Sequence, residues 1–343
     1  MTKPIPVAVI GAGHMGRHHA RVYHEMPEAE LVGVVDLDRE RAGTIAAGAK
    51  TEAFTSIEPI IDKVRAVTVA VPTVHHLDVA GPLLKRGIAV LVEKPIAQDV
   101  DTAKRLLEIA RTSDSLLQVG HSERFNPVVR AMNRMEIEPQ FIETHRISPF
   151  TFRSADIGVV MDMMIHDIDI VLHLVKSQAA RVEAVGVNVL GPHEDVANAW
   201  VTFQNGCVVN LTASRLALKT ERKIRVFSEQ AYLSLDYQKK SGIAIKKVAN
   251  LDLLKLARER DASDLSQLAG VDFGSMVKVE PLQVDDIEPL RAELQSFRHP
   301  VKTKRPAEVS AEDGVAAVEL AEQIVAALKA RDWQLTDVGI SPS

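Results

Sequence analysis

The chain has 343 residues, enough for about two domains at roughly 150 residues each. It is 46% hydrophobic and 25% charged, as expected of an ordinary soluble globular protein, and its net charge of -5 argues against non-specific nucleic-acid binding. The single cysteine, Cys207, excludes an internal disulfide and a thiolate zinc cluster. No segment approaches the ~20 apolar residues of a membrane span, and the first residues do not resemble a secretory leader. We therefore expect a cytoplasmic protein without a membrane partner.

A glycine-rich turn follows the first predicted strand, PVAVI. Gly11, Gly13 and Gly16 form a G-x-G-x-x-G pattern at the start of a helical segment. The first glycine permits the tight turn, the second lets a pyrophosphate approach the backbone, and the third lets the helix pack close to the sheet. The helix start, at His14 and Met15, offers N–H groups to the phosphates. The sequence therefore predicts a dinucleotide site.

The second predicted strand, LVGVVD, indicates which dinucleotide binds. It ends at Asp36, about 20 residues beyond the glycines, as in dinucleotide-binding sequences. A carboxylate there accepts hydrogen bonds from the ribose hydroxyls and repels a 2′-phosphate, so NAD is predicted over NADP. Arg39 and Arg41 lie nearby and keep NADP open as the weaker alternative.

Four histidines follow the glycine turn: His14, His18, His19 and His24. A metal site is conceivable there, but no matching set of acidic ligands lies beside them. We interpret them as imidazoles near the phosphates.

Strands and helices alternate over the rest of the first third of the chain. Strands are predicted at 66–72, 88–95 and 116–120, with helices at 76–86 and 99–111 between them. This alternation indicates a doubly wound parallel sheet, the Rossmann arrangement, in which ligands bind beyond the carboxyl ends of the strands. The further cofactor-binding residues predicted around these ends are Pro72, Thr73, His76, Glu93 and Lys94.

Lys94 is unusual because it leaves an apolar strand, VLVEK, and precedes a proline. A lysine at the edge of a cofactor cleft can hydrogen-bond a substrate hydroxyl and stabilise a developing alkoxide. Partial burial would lower its pKa and could make it an acid–base group. The alternative is a simple salt bridge to Glu93 or to another acid.

The stretch at 158–174, GVVMDMMIHDIDIVLHL, predicts a core helix with a polar stripe. Asp162, His166, Asp169 and His173 fall at i, i+4, i+7 and i+11 and share one face. Ionised groups are rarely buried in such a helix without partners. The stripe therefore lines a cleft, binds a metal ion or forms internal salt bridges.

Together these motifs resemble the Gfo/Idh/MocA family of sugar and cyclitol dehydrogenases. The resemblance rests on the G-x-G-x-x-G, E-K-P and D-x-x-x-H motifs and on the C-terminal EPLRAEL and EDGVAAVELAEQI segments. It implies that Lys94 and His166 flank the carbon that gives up hydride, with Asp162 as their helper, and that the Lys94–Pro95 bond is cis. Many members have a run of glycines before the D-x-x-x-H helix, whereas this chain keeps only Gly158.

A narrower resemblance is to the nucleotide-sugar branch of that family, on the stretches VGHSERFNP and MIHDIDIV. It implies NAD-dependent oxidation of the 3-hydroxyl of UDP-N-acetylglucosamine. A PLP-dependent aminotransferase would then install an amine, often for lipid A. His166 would take the hydroxyl proton, Lys94 would stabilise the alkoxide, and no metal would be needed. The alternatives are a dehydrogenase of a free cyclitol or monosaccharide such as an inositol, a metal-dependent enzyme, and a non-catalytic NAD-binding sensor.

The pattern changes after the last Rossmann strand, which predicts an NAD-binding domain at 1–122 and a second domain at 123–343. Seven predicted strands, QFIETHRI, RVEAVGVNVL, ANAWVTFQ, CVVNLTASR, IRVFS, AYLSLDY and IAIKKV, indicate an α+β domain with a large, mostly antiparallel sheet. Residues 255–285 are predicted to be an insertion or flexible loop. A helix at about 311–330 could pack back toward the first domain. The family resemblance implies that one sheet face forms the interface of a homodimer or homotetramer.

Substrate contacts are predicted on both sides of the cleft. The substrate-binding residues predicted are Lys94, His121, Arg124, Asn126, Arg153, Asp162 and His166. Three of them follow the last Rossmann strand, and Arg153 lies in the loop before the helix, where an arginine suits a phosphate or carboxylate. The alternative for His121, Arg124, Asn126 and Arg153 is that each is an ordinary surface or hinge residue.

Overall fold

The computed structural model describes residues 3–151, 157–247, 277–303 and 305–330. The first sheet consists of β1 (Ile5–Ile10), β2 (Ala29–Val35), β3 (Glu52–Phe54), β4 (Ala66–Val69), β5 (Ala89–Glu93) and β6 (Leu117–Gly120). The helices between its strands are α1 (His14–Glu25), α2 (Arg39–Gly48), α3 (His76–Lys85) and α4 (Val100–Thr112). All strands are parallel, in the order β3-β2-β1-β4-β5-β6. The predicted doubly wound sheet is confirmed. The short edge strand β3 was not predicted, because its three residues carry too little periodicity.

The second sheet has eight strands. They are β7 (Phe141–Ile147), β8 (Ala179–Val187), β9 (Val196–Phe203), β10 (Val208–Ser214), β11 (Glu221–Phe227), β12 (Ala231–Asp236), β13 (Ser241–Lys247) and β14 (Val277–Pro281). Their order is β14-β13-β12-β11-β7-β10-β9-β8, and every neighbouring pair is antiparallel except β7 and β10. The remaining helices are α5 (Pro127–Asn133), α6 (Ile165–Val175), α7 (Pro289–Thr303) and α8 (Ala311–Ala330). The predicted mostly antiparallel sheet is confirmed.

One prediction for this sheet is wrong in part. Val277–Pro281 forms β14 and pairs with β13, although 255–285 was predicted to be an insertion or loop. An edge strand pairs on one side only, and this one lies in a polar stretch with weak hydrophobic alternation. The strand was therefore not predicted. Residues 255–276 lie outside the described residues.

Both C-terminal helices lie against the first sheet. Leu290, Leu294 and Phe297 of α7 are buried in a cluster with residues of β1 and α1. Helix α8 contacts α4 and β6 as well as α6 and β8. The division of the chain at residue 122 stays a prediction. Helix α7 packs against the first sheet in addition to the C-terminal helix for which this packing was predicted. Within the described ranges, no helix combines the length and apolar character that crossing a membrane requires.

Candidate active site

The glycine turn has the shape that a pyrophosphate needs. Gly11 has φ +98°, and a Cβ on it would lie 2.5 Å from the Ala70 carbonyl oxygen. A Cβ on Gly16 would lie 1.7 Å from the Gly11 carbonyl oxygen, so α1 can pack this close only with glycine there. At Gly13 a Cβ would meet no described atom within 4 Å, and no side chain caps the helix there. The space beside Gly13 is therefore open, and the first N–H groups of an α-helix lack partners within the helix, a combination that suits an anion.

Asp36 follows β2 at the edge of this turn. Its Oδ2 accepts the Ala12 N–H at 2.7 Å and its Oδ1 accepts the Asp38 N–H at 2.9 Å. These bonds hold the carboxylate beside the glycine turn, where it can also accept the ribose hydroxyls of NAD. The Arg41 guanidinium lies 3.9 Å from Asp36 and 3.3 Å from Asp38, so both acids hold this cation.

The cofactor residues predicted after β4 fall into two groups. Pro72 and Thr73 lie at the carboxyl end of β4, where a short 3₁₀ turn begins, as expected for a cofactor edge. His76 is buried, and its two ring nitrogens lie 3.1 Å from the carbonyl oxygens of Ile96 and Val71. Burial lowers the pKa of His76. His76 thereby connects the loop after β4 with the loop after β5, and its contact with the cofactor stays a prediction.

Lys94 connects the two halves of the site. Its ammonium donates to the main-chain carbonyl oxygen of Asp162 at 2.7 Å and lies 3.4 Å from the Asp162 carboxylate. The Lys94–Pro95 peptide bond is cis, as the family resemblance implied. Burial lowers the pKa of Lys94, while the charges of Asp162 and Glu93 oppose this change. The result is a mostly buried cation at the carboxyl edge of the sheet, the property that alkoxide stabilisation requires.

The predicted helix begins with a π-helical turn, Val160–Met164, and continues as α6. Such turns are frequent at functional sites. Asp162 lies in this turn, and His166 follows in the first turn of α6. Burial lowers the pKa of His166 well below its usual range, and the charges of Lys94 and Arg146 lower it further. The imidazole is therefore neutral at neutral pH and can accept a proton.

The second half of the polar stripe bonds within the protein. Arg124 is buried and donates hydrogen bonds to the Asp169 carboxylate from two nitrogens, Nε at 2.9 Å and Nη2. Its Nη1 donates to His173 Nδ1 at 2.9 Å. All three guanidinium nitrogens thus connect the segment after β6 to α6, and the contact of Arg124 with the substrate stays a prediction. Internal salt bridges were one of the three interpretations of this stripe, and they hold for this half.

A further buried ion pair was missed by the sequence analysis. Arg146 on β7 binds the Asp167 carboxylate through Nε at 2.9 Å and Nη2 at 2.8 Å, and its Nη1 lies 3.5 Å from Glu123. Arg222 is the cross-strand partner of Arg146 on β11, and it also pairs with Glu123, at 3.3 Å. The alternation of FIETHRI could have placed Arg146 on the inner face of β7. Nothing local could have shown that α6 supplies its partner.

Residues 5–121 match the Gfo/Idh/MocA oxidoreductase family with its NAD-binding Rossmann fold, and residues 135–234 match the Gfo/Idh/MocA C-terminal domain. A UDP-N-acetylglucosamine 3-dehydrogenase of Acidithiobacillus ferrooxidans is 38% identical over 230 residues, which cover 67% of this chain and 73% of that protein. The chain belongs to the Gfo/Idh/MocA family.

The chain is also similar to a solved structure over nearly its whole length and to a dehydrogenase that is named for another substrate. A solved structure of UDP-N-acetylglucosamine 3-dehydrogenase from Acidithiobacillus ferrooxidans superimposes with a TM-score of 0.85 and 31% identity. The match covers 96% of this chain and 99% of that one. An inositol 2-dehydrogenase of Corynebacterium glutamicum is 30% identical over 195 residues, which cover 53% of this chain and 58% of that protein. As a Gfo/Idh/MocA protein, the chain is an NAD(P)-dependent oxidoreductase whose N-terminal domain is the NAD-binding domain of the family.

Three of the predicted substrate residues remain to be placed: His121, Asn126 and Arg153. His121 is buried directly after β6, and neither ring nitrogen has a hydrogen-bond partner in the described part of the chain, which suits a ligand contact. Asn126 instead caps α5, accepting the Val128 N–H at 3.2 Å and donating to the Tyr237 carbonyl oxygen at 3.3 Å. The contact of Asn126 with the substrate stays a prediction. Arg153 lies outside the described residues.

Proposed function

We propose that this protein uses NAD to oxidise the 3-hydroxyl of a UDP-sugar, UDP-N-acetylglucosamine. The observation that carries the proposal is the Lys94 ammonium bound to Asp162, within electrostatic reach of a neutral His166, at the edge of a sheet whose glycine turn fits a pyrophosphate. The substrate is supported by the relative that is 38% identical and bears that activity in its name.

Each residue of the site has a distinct task in this reaction. His166 takes the proton of the substrate hydroxyl, because burial and neighbouring cations keep its imidazole neutral. Lys94 stabilises the resulting alkoxide with its positive charge. Asp162 holds the ammonium in place through its carbonyl oxygen and balances its charge through its carboxylate. When bound at the glycine turn, NAD would serve as the acceptor for the hydride that leaves the carbon, and the products would be the 3-keto sugar, NADH and a proton.

Arg222 supports a substrate with a diphosphate. It lies on the face of β11 that also carries the buried Ile224 and Val226, toward the cleft, and its charge lowers the pKa of His166. Its side chain is 45% exposed and meets Glu123 through Nη1 alone among the described residues. The remaining nitrogens can therefore bind phosphate oxygens in the paired geometry that guanidinium groups favour.

The alternative substrates use the same residues. A free cyclitol is favoured by the similarity to an inositol 2-dehydrogenase, and Lys94 and His166 would act on it in the same way. A metal-dependent enzyme is less well supported, since Asp169 is bound by Arg124 and the stripe forms no group with metal-ligand spacing in the described ranges. A non-catalytic NAD-binding sensor would not need both Lys94 and His166.

The proposal extends to the setting of the reaction. We place the protein in the cytoplasm, ahead of a PLP-dependent aminotransferase that converts the 3-keto sugar for lipid A-type synthesis. The outer face of the second sheet carries a row of aromatic residues: Phe141, Trp200, Phe227 and Tyr232, with ring centroids 4.8 to 5.9 Å apart. We propose that this face joins two copies in a homodimer or homotetramer. Light scattering of the wild type and Trp200→Glu tests this, and a monomeric wild type would refute it.

The first experiment measures NADH absorbance with purified protein, NAD and UDP-N-acetylglucosamine. A PLP-dependent aminotransferase and glutamate are added to remove the ketone. NADH should form with the wild type and not with Lys94→Ala or His166→Ala. Turnover on inositol or a free hexose, without any on the nucleotide sugar, would refute the substrate and keep the mechanism.

A further inference from the structure

A second cluster of buried ionisable groups lies beside Lys94, outside the residues assigned above to chemistry. It joins His19 of α1, Glu93 at the end of β5 and Glu293 of α7, all of them buried. One ring nitrogen of His19 and one carboxyl oxygen of each glutamate lie within 4.8 Å of one another. His19 was interpreted above as a residue facing the phosphates. Its Nε2 instead lies 2.7 Å from Glu93 Oε1.

Glu293 brings an uncompensated carboxyl group into this cluster. Neither of its carboxyl oxygens has a hydrogen-bond partner in the described part of the chain, and neither does His19 Nδ1. Two carboxylates in one small buried site cannot both stay ionised without a large electrostatic cost. Burial raises the pKa of Glu293 well above its usual range, and the charges of Glu93 and Asp169 raise it further. These effects favour the protonated form of Glu293, which can donate a hydrogen bond.

Glu93 links this cluster to the catalytic lysine. Its Oε2 accepts the main-chain N–H of Lys94 at 3.3 Å, and its charge opposes the loss of the Lys94 proton. The position of the Glu93 carboxylate thus affects both the path of the chain at Lys94 and the charge of the ammonium. His19 fixes one oxygen of Glu93. A carboxyl oxygen of Glu293 lies within 4.8 Å of an atom of each of these residues but forms no hydrogen bond with them, so donation requires the Glu293 side chain to turn toward the pair.

We propose that Glu293 is a positioning residue for Lys94, and that it acts as a neutral hydrogen-bond donor toward the His19–Glu93 pair. Glu293 lies on α7, which also packs against α1. The C-terminal part of the chain thereby stabilises both helix α1 and the end of strand β5, which directly precedes Lys94. This role does not depend on which sugar is oxidised, because it concerns the lysine and not the substrate.

Two substitutions with the same change in charge test the proposal. Glu293→Gln keeps a neutral donor of the same shape and should retain most of the kcat. Glu293→Leu removes the donor and should lower kcat by about 10-fold to 100-fold, with little change in the KM for NAD. Glu288→Leu is the matched control, since Glu288 is exposed and pairs with Arg21 outside the cluster. Thermal unfolding of each variant separates loss of folding from loss of kcat.

The proton on Glu293 can be observed directly, without a substrate. The infrared difference spectrum between the wild type and Glu293→Gln at neutral pH should contain the carbonyl stretch of a protonated carboxylic acid. Absence of that band would overturn the proposal, as would a Glu293→Leu variant with full kcat. Equal losses in the Gln and Leu variants would also overturn it, because the carboxyl oxygens themselves would then be needed. The metal content of the purified protein would then show whether the Glu293 carboxyl oxygens bind a metal ion.

Discussion

The Lys94 ammonium is bound to the main-chain carbonyl oxygen of Asp162, at 2.7 Å, more closely than to the Asp162 carboxylate, at 3.4 Å. A substitution at position 162 removes the carboxylate and keeps the carbonyl group. The position of the lysine therefore depends on the π-helical turn Val160–Met164, and the charge balance of the lysine depends on the side chain of Asp162. These two contributions can be separated experimentally.

The pH dependence of kcat should show this separation. Lys94 must stay protonated, so kcat should fall as the pH rises through the pKa of Lys94, which burial places below the usual range of a lysine. The charge of Asp162 raises that pKa, so Asp162→Asn should move the alkaline limb to lower pH. Asp285→Asn, at an exposed acid paired with Arg134, is the control and should leave the limb in place. A limb that moves to higher pH in Asp162→Asn would contradict the assignment of Lys94.

The acid side of the same profile depends on His166. Its imidazole must be neutral to take the hydroxyl proton, and its pKa lies well below the usual range. We therefore expect kcat to stay level as the pH falls through about 6.5, the ordinary value for histidine, and to drop only at lower pH. Measurement of kcat at saturating substrate over this range checks the expectation. A half-maximal kcat near pH 6.5 would show that the cations around His166 do not act on it as proposed.

Substitution of the two catalytic residues should reduce chemistry and leave cofactor binding intact. Lys94→Met and His166→Asn should each lower kcat by about 100-fold or more, the usual contribution of a positioned acid–base group. NADH binding, followed by fluorescence, should change little, because the glycine turn and Asp36 hold most of the cofactor. A large loss of NADH affinity in either variant would argue that the residue binds the cofactor instead.

The preference for NAD should depend on Asp36. Asp36→Ser removes the negative charge that repels a 2′-phosphate and leaves the Arg41 cation near it. We expect the ratio of kcat/KM for NADP to that for NAD to rise by about 10-fold to 100-fold, which corresponds to roughly 1.4 to 2.8 kcal/mol. Asp38→Ser is a matched control, because Asp38 caps α2 through the Glu40 and Arg41 N–H groups. Serine is as good an N-cap residue as aspartate, so this variant should change the free energy of unfolding little and leave the ratio unchanged.

Two arginines on β11 allow a paired test of diphosphate binding. Arg222 lies on the same face of the sheet as Arg146, whereas Arg225 pairs with Glu143 on the opposite face, and their side chains are 45% and 42% exposed. Arg222→Ala should raise the inhibition constant of UDP by about 10-fold or more, the usual value of a charge-assisted hydrogen bond, and Arg225→Ala should not. A wild type that UDP does not inhibit would refute the nucleotide-sugar proposal. Equal inhibition of all three proteins would refute only the role of Arg222.

The Arg124–Asp169 pair should be important for stability. Both side chains are buried, so Asp169→Asn leaves a buried cation poorly compensated and should cost about 3–5 kcal/mol. Replacement of both partners, Arg124→Met with Asp169→Leu, should recover much of this loss. Urea unfolding of the single and double variants measures the effect. If Arg124 is structural, the KM for the sugar should be close to that of the wild type in the double variant.

The local motifs of this protein could be predicted from the sequence alone. The glycine turn with Asp36, Lys94 after an apolar strand, and Asp162 with His166 are each defined by spacing within one strand, turn or helix. Their chemistry follows from backbone geometry over a few residues. The parallel sheet and the mostly antiparallel sheet could be predicted for the same reason, because hydrophobic periodicity is a local property.

Only the tertiary structure decided which polar residue meets which. The partner of Arg124 is Asp169, 45 residues away, and Asn126 binds the Tyr237 carbonyl oxygen, 111 residues away. The pairing of Arg222 with Glu123 spans 99 residues. Periodicity shows on which face of its element a side chain lies, but not which element packs against that face. A buried charge is stable only where packing brings a partner to it, and packing is a property of the whole chain.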